Sequence, residues 1–226
     1  MADVYLGYLE GPGGFVKPVA IKRMKPALAK VEEFVELFLT EARTASLLSH
    51  PNICHVNELG ANDEDGYFMV LEYLVGVPFT QVLAKQMVDS RTFPLGMVVG
   101  LIAQACEGMH YAHSLCDPSG TCYDIVHRDL SPHNVMVGYD GHVKLLDFGI
   151  AKARGANSRT RTGTVKGKNA YMSPEQILGK PLDRRSDVFA LGAVLYELLA
   201  VKRLFHRESD FLTFKAITEE PIPDIR

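Results

Sequence analysis

The apolar spacing of this chain changes character once, and that change limits what the chain can fold into. Up to about residue 74 the sequence reads as short alternating strands with one amphipathic helix inserted. After Val75-Gly76-Val77-Pro78 the apolar residues recur at three- and four-residue steps. Strands are expected at 4–8 and 17–22, on either side of the turn Gly11-Pro12-Gly13-Gly14. A helix over 29–48 puts Phe34, Leu37, Phe38, Glu41, Ala45 and Leu48 on one face, and His50-Pro51-Asn52 ends it because proline cannot continue a helix. Two more strands, 56–59 and 67–72, flank a polar hairpin at 62–66. Helices are then expected at 79–87, 95–114, 174–178, 185–200 and 209–217, with short β-like pieces at 125–126, 135–137 and 143–145. The outcome is an α+β chain of two lobes, a small β-rich one over 1–74 and a larger helical one over 75–226.

Composition narrows the partners. With 226 residues, 47% of them hydrophobic, the chain can bury a sizeable core. A formal net charge of −3 gives no global basic field for nucleic acid or an anionic membrane. The run 188–201 is shorter than a membrane span and is interrupted by Glu197, so it reads as a buried core helix. Four cysteines without CxxC spacing, in a stretch with no visible leader, read as reduced cytoplasmic thiols rather than metal ligands. Cys116 and Cys122 flank a Pro-Ser-Gly turn across which they can meet. The expected location is the cytoplasm, for this stretch alone or as the cytoplasmic part of a longer, even membrane-anchored, protein.

Five short motifs carry chemistry. Val19-Ala20-Ile21-Lys22 places a cation on a strand, and Glu41 follows 19 residues later on the apolar helix face, where a buried carboxylate needs a partner. His127-Arg128-Asp129-Leu130-Ser131-Pro132-His133-Asn134 offers a carboxylate base and an amide oxygen close together. Asp147-Phe148-Gly149 follows a β-like piece, and Ser173-Pro174-Glu175 precedes Asp187 at the head of the longest apolar run. Singly, most of these have ordinary structural explanations; their joint order does not.

In that order the motifs resemble the protein-kinase signature set, and the whole chain is similar to the bacterial eukaryotic-like (Hanks-type) serine/threonine kinases, the myxobacterial group in particular. The resemblance implies a two-lobed kinase fold that uses ATP and Mg²⁺. Lys22 would sit on the α/β-phosphates and be oriented by Glu41. Asp129 would handle the acceptor proton, and Asn134 and Asp147 would hold the metal. His127 is a structural histidine on this reading, Phe148 packs toward the Glu41 helix, Asp187 holds the His127-Arg128 backbone, and Glu175 pairs with an arginine further on. By the same carry-over Val4 and Ala20 cover the adenine and Met136 lies below it. Leu71 is the gatekeeper, and Glu72 and Leu74 offer hinge backbone groups. Arg128 would grip a phosphorylated activation loop, with Thr164 as the acceptor and Thr162, Thr160 and Ser158 behind it. Implied partners are Ser/Thr-bearing protein substrates and a second copy for trans-autophosphorylation.

The chain departs from the family pattern in three places. Val4 and Ala2 match the end of the phosphate-covering glycine loop, so its first glycines would lie before Met1, and the last helices of the family's larger lobe would lie beyond Arg226. Truncation at both ends is therefore expected. Where the family usually carries lysine two residues after the catalytic aspartate, this chain has Ser131. Where it usually carries threonine, seven before Glu175, this chain has Lys168. A swap in which Lys168 contacts the γ-phosphate stands beside a plain solvated lysine. Two rivals remain open: a kinase-like binding or scaffold fragment, and a small-molecule phosphotransferase, against which the long loop before Ser173-Pro174-Glu175 argues.

Overall fold

Residues 1–62, 66–89, 92–148 and 167–225 are described by a computed structural model. Strand β1 (Ala2–Gly11) turns through Pro12–Gly14 into β2 (Phe15–Met24), with Gly13 and Gly14 at φ 71° and 79°, a region glycine enters without steric cost. The two strands pair antiparallel along their whole length, from Ala2 opposite Met24 to Gly11 opposite Phe15. Helix α1 (Glu32–Ser46) starts three residues later than the apolar spacing predicts, since Glu32 and Glu33 favour the positive end of the helix dipole. Strands β3 (Val56–Asn62) and β4 (Gly66–Glu72) complete a sheet of order β1-β2-β4-β3. Its register sets Val4 opposite Lys22 and Ala20 between Leu6 and Leu71, so Val4, Ala20, Lys22 and Leu71 share one face. Phe38 and Ala42 of α1 close a small core with Met24 and Met69.

A second sheet joins β5 (Gly76–Pro78), β6 (Val135–Gly138) and β7 (Val143–Leu145). Strand β5 falls at the point where the apolar spacing changes, for which no strand is expected. A Cβ on Gly76 would meet the Val137 carbonyl oxygen at 2.2 Å, so glycine here permits close strand approach rather than a bend. Ile125 and Val126, expected to be β-like, form no strand; they are buried in the larger core or beside it without a ladder partner. Helices α2 (Phe79–Asp89), α3 (Leu95–His113), α4 (Pro174–Ile177), α5 (Arg184–Ala200) and α6 (Asp210–Glu219) build the helical lobe. Its main core packs Phe79 of α2, Met109 of α3 and Leu198 of α5 against Val135 and Leu145. No described helix is long and apolar enough to cross a membrane.

The two lobes are stitched together between residues 52–54 and strand β7. The Cys54 N–H donates to the Leu145 carbonyl (2.8 Å), the Leu145 N–H to the Asn52 carbonyl (2.9 Å), and the Asn52 side-chain amide to the Val143 carbonyl (2.9 Å). One expectation is corrected: Cys116 and Cys122 are joined as a disulfide across their hairpin, while Cys54 and Cys106 are free. The turn Asp117-Pro118-Ser119-Gly120 folds tightly around the Asp117 carboxylate, which accepts from Ser119 and Thr121, and this brings the two sulfurs together.

Candidate active site

Lys22 is 8% exposed, and its ammonium bridges two carboxylates, Glu41 Oε1 at 2.6 Å and Asp147 Oδ1 at 2.7 Å. Burial alone would lower the lysine's pKa; the charges of Asp147 and Glu41 outweigh it and hold the group well above its ordinary range. Burial pushes the Glu41 carboxyl up, with Lys22 working against that push. The Glu41 partnership is the one the kinase resemblance implies. The Asp147 contact is not, and it joins residues 125 apart.

Asp187, at the head of α5, organises the loop 127–134. Its carboxylate accepts from the His127 N–H (2.8 Å) and the Arg128 N–H (2.9 Å), and lies 2.8 Å from the His113 ring nitrogen Nε2. Arg128 sits at φ 66°, an uncommon conformation for a residue with a side chain, and the Asp187 bond helps to fix it there. His127 is fully buried, 2.8 Å from the Leu146 carbonyl through Nε2 and 4.6 Å from the Phe148 ring between centroids. Its pKa is lowered by burial, which suits a structural, neutral imidazole. Asn134 donates from its side-chain amide to the Asp129 carbonyl (2.8 Å) and to Asp129 Oδ2 (3.1 Å). The same Oδ2 lies 3.0 Å from Lys168 Nζ.

The remaining expectations divide. Val4 is well exposed, Ala20, Leu71, Glu72, Leu74 and Met136 are half-buried, and Met136 pairs with Pro78 at the joint between lobes. The Glu72 side chain has its own work: it accepts from the His55 N–H (2.7 Å) and from Lys144 Nζ (2.5 Å). Phe148 packs on His127 in the larger core, which reaches Leu48 beyond the end of α1, rather than in the Phe38 cluster. Glu175 accepts a hydrogen bond from the Ser186 hydroxyl, a partner the sequence reading did not name. Lys144, His113, Ser186 and the hydrogen bond from the Tyr171 hydroxyl to Glu197 were all missed. Of these only the buried charge inside the apolar run 188–201 had a visible signal. Gly149, Ser158, Thr160, Thr162 and Thr164 lie outside the described residues.

The residues present suit a metal-bound nucleotide. Asp147 keeps its carboxylate half exposed, and Asn134 commits its amide nitrogen to Asp129, leaving an amide oxygen; both are the hard donors Mg²⁺ takes. A sheet over a helical lobe, with a strand lysine tied to a helix glutamate above this loop, defines the protein-kinase class of fold. The sequence agrees: the protein kinase domain family matches residues 9–225, and the chain belongs to that family, whose members generally use ATP and Mg²⁺. It is 45% identical over 219 residues to tyrosine-protein kinase MasK of Myxococcus xanthus, covering 97% of this chain and 34% of MasK. To serine/threonine-protein kinase pkn3 of the same species it is 37% identical over 222 residues, covering 93% of this chain and 38% of pkn3. The chain thus spans about a third of the length of the curated relatives it matches. Among solved structures, the kinase domain of Mycobacterium tuberculosis PknI (C20A mutant) aligns over 100% of this chain and 74% of its own, with TM-score 0.67 and 27% identity.

Proposed function

We propose that this chain transfers the γ-phosphate of Mg-ATP to serine or threonine hydroxyls of proteins. The observation that carries the reading is the Lys22 bridge, which brings strand, helix and the Asp147 loop to one point, while the Leu146 N–H ties that loop to the Asn134 carbonyl (2.9 Å). Lys22 holds the nucleotide phosphates, Glu41 orients Lys22, and Asp147 and Asn134 hold the metal, which would neutralise phosphate charge. Val4, Ala20, Leu71 and Met136 bound the adenine, with the backbone of Glu72 and Leu74 beside it at a lobe boundary near residue 74. The acceptor oxygen bonds to phosphorus, the bond to the β-phosphate oxygen breaks with its electron pair on ADP, and the acceptor proton passes to Asp129. Positioning and electrostatics supply most of the rate.

Among the described residues the buried Arg128 Nε atom has no hydrogen-bond partner, which supports a role in gripping a phosphorylated loop residue; Thr164 is the first acceptor, then Thr162 and Thr160. A tyrosine acceptor is the second reading. It is favoured by Ser131, where serine/threonine kinases usually have lysine, and by the name of MasK. Intact-mass spectrometry after incubation with Mg-ATP, beside Asp129→Ala, tests transfer, and phosphoamino-acid analysis of the product tests the acceptor. Phosphoserine or phosphothreonine in the wild type alone is expected. Phosphotyrosine alone moves the assignment to the second reading, and no transfer with intact nucleotide binding moves it to a scaffold.

A further inference from the structure

Resting on that kinase reading, we propose that Lys168, delivered from the segment ahead of Ser173-Pro174-Glu175, is the cation that steadies the transferring phosphoryl group. It replaces a charge that Ser131 cannot provide. Ser131 is 1% exposed, and among the described residues its hydroxyl has no hydrogen-bond partner, so the side chain two residues after Asp129 brings no charge to the site. The charge arrives from elsewhere. Lys168 Nζ lies 3.0 Å from Asp129 Oδ2, with both side chains only 17% exposed. A solvated loop lysine would leave its ammonium in water; this one is withdrawn from water onto the carboxylate that receives the acceptor proton. An ammonium in that place is within reach of the oxygen and phosphorus atoms that exchange bonds there, and low solvent access strengthens its field.

The backbone explains how Lys168 is aimed. It opens the short 3-10 turn Lys168–Tyr171, whose preceding residue Gly167 sits at φ 95°. The conformation at Gly167 calls for glycine, while the Arg203 guanidinium beside it is the end of a flexible side chain that can give way. The far end of the turn is pinned by Tyr171, which is buried and donates its hydroxyl proton to Glu197, itself 3.4 Å from Arg203 Nε. The turn therefore presents Lys168 to Asp129 from a fixed support on α5 and the residues after it. One consequence is conditional catalysis: the phosphate's cation is present only while this segment is seated, whereas a lysine at position 131 would be present always.

The test compares wild type, Lys168→Ala, Lys168→Thr, Lys168→Arg and the transplant Ser131→Lys/Lys168→Thr, each checked for folding by thermal melt. Steady-state transfer to casein gives kcat and KM for ATP. Isothermal titration gives affinity for Mg-ADP with and without aluminium fluoride, which stands in for the planar transferring phosphoryl. Lys168→Ala should lose about 10²- to 10³-fold in kcat, the range for removing one preorganised transition-state partner. Its KM for ATP and its Mg-ADP affinity should change less than about threefold, and the tightening produced by aluminium fluoride should vanish. Lys168→Arg should keep part of the rate, and the transplant should exceed Lys168→Thr by at least about tenfold. Wild-type kcat in Lys168→Ala, undiminished tightening, or a transplant no better than Lys168→Thr overturns the assignment. A wild type that transfers nothing, yet tightens on aluminium fluoride only when Lys168 is present, refutes the kinase reading and keeps the cation.

Discussion

Replacing Lys22 with methionine isolates the energetics of the buried pair. Methionine fills similar space but leaves Glu41, 7% exposed, without its 2.6 Å partner. Removing one member of a buried ion pair costs about 3–5 kcal/mol. The contact with Asp147 adds at most about 1 kcal/mol, because that carboxylate is half exposed. Against the roughly 5–15 kcal/mol that holds a domain together, Lys22→Met should fold but be much weakened at pH 8. The loss should depend on pH with a definite sign. Burial raises the Glu41 pKa, the Asp147 and Asp129 charges push the same way, and Lys22 is the cation that works against them. A group whose folded pKa lies above its unfolded value stabilises fully below the unfolded range, near 4.3 for glutamate, and loses that contribution as pH rises through the folded value. The deficit of Lys22→Met relative to wild type should thus shrink on acidification, by at most about 1.4 kcal/mol per pH unit for one proton. Lys22→Met/Glu41→Gln should be more stable than Lys22→Met at pH 8 and show no such trend. The chain has no tryptophan, so urea unfolding is followed by far-ultraviolet circular dichroism at pH 5.5, 6.5 and 8.0. A deficit that is the same at every pH, or a double variant as weak as the single one, refutes the reasoning.

Asp187→Ala should cost about 3–9 kcal/mol in urea unfolding, since it strands two backbone N–H groups and the His113 ring, at about 1–3 kcal/mol for each unsatisfied group. A loss below about 1 kcal/mol would show that water replaces the carboxylate. Thiol titration of the unreduced, denatured chain should find two reactive cysteines, and four after reduction; four from the start would refute the bond between Cys116 and Cys122. In the native chain at pH 8, Cys54 should alkylate more slowly than the exposed Cys106, because burial and the neighbouring Glu72 and Asp147 charges push its thiol up to about 12.

Much of this was readable in the residues, for reasons that also explain the failures. Lys22 and Glu41 were legible because strand and helix periods each assign a side chain to a face, and a charge on an apolar face demands a partner. The bond from Lys22 to Asp147 was not legible, since no local rule links strand β2 to the loop after β7. Strand β5 was hidden because Gly76 and Pro78 are turn residues by propensity, and only contact with Val137 makes them a strand. Ile125 and Val126 erred in the opposite direction: β-branched and buried, they satisfy the pattern of a strand without finding one to pair with. Glu197 announced itself as a charge inside an apolar run, yet nothing in the sequence said that Tyr171 would meet it.

The stitches between residues 52–54 and strand β7 have a mechanical meaning. Any rotation of the small lobe that keeps these bonds must turn about that seam, so the seam acts as the fulcrum of a lever. Residues near it, including Glu72 and its partner Lys144, travel little. The opposite end of strand β4, where Gly66 faces Asn62, lies six residues along the strand from Glu72 and travels further. A small change of angle at the seam is thereby amplified into a larger displacement at that hairpin end of the sheet.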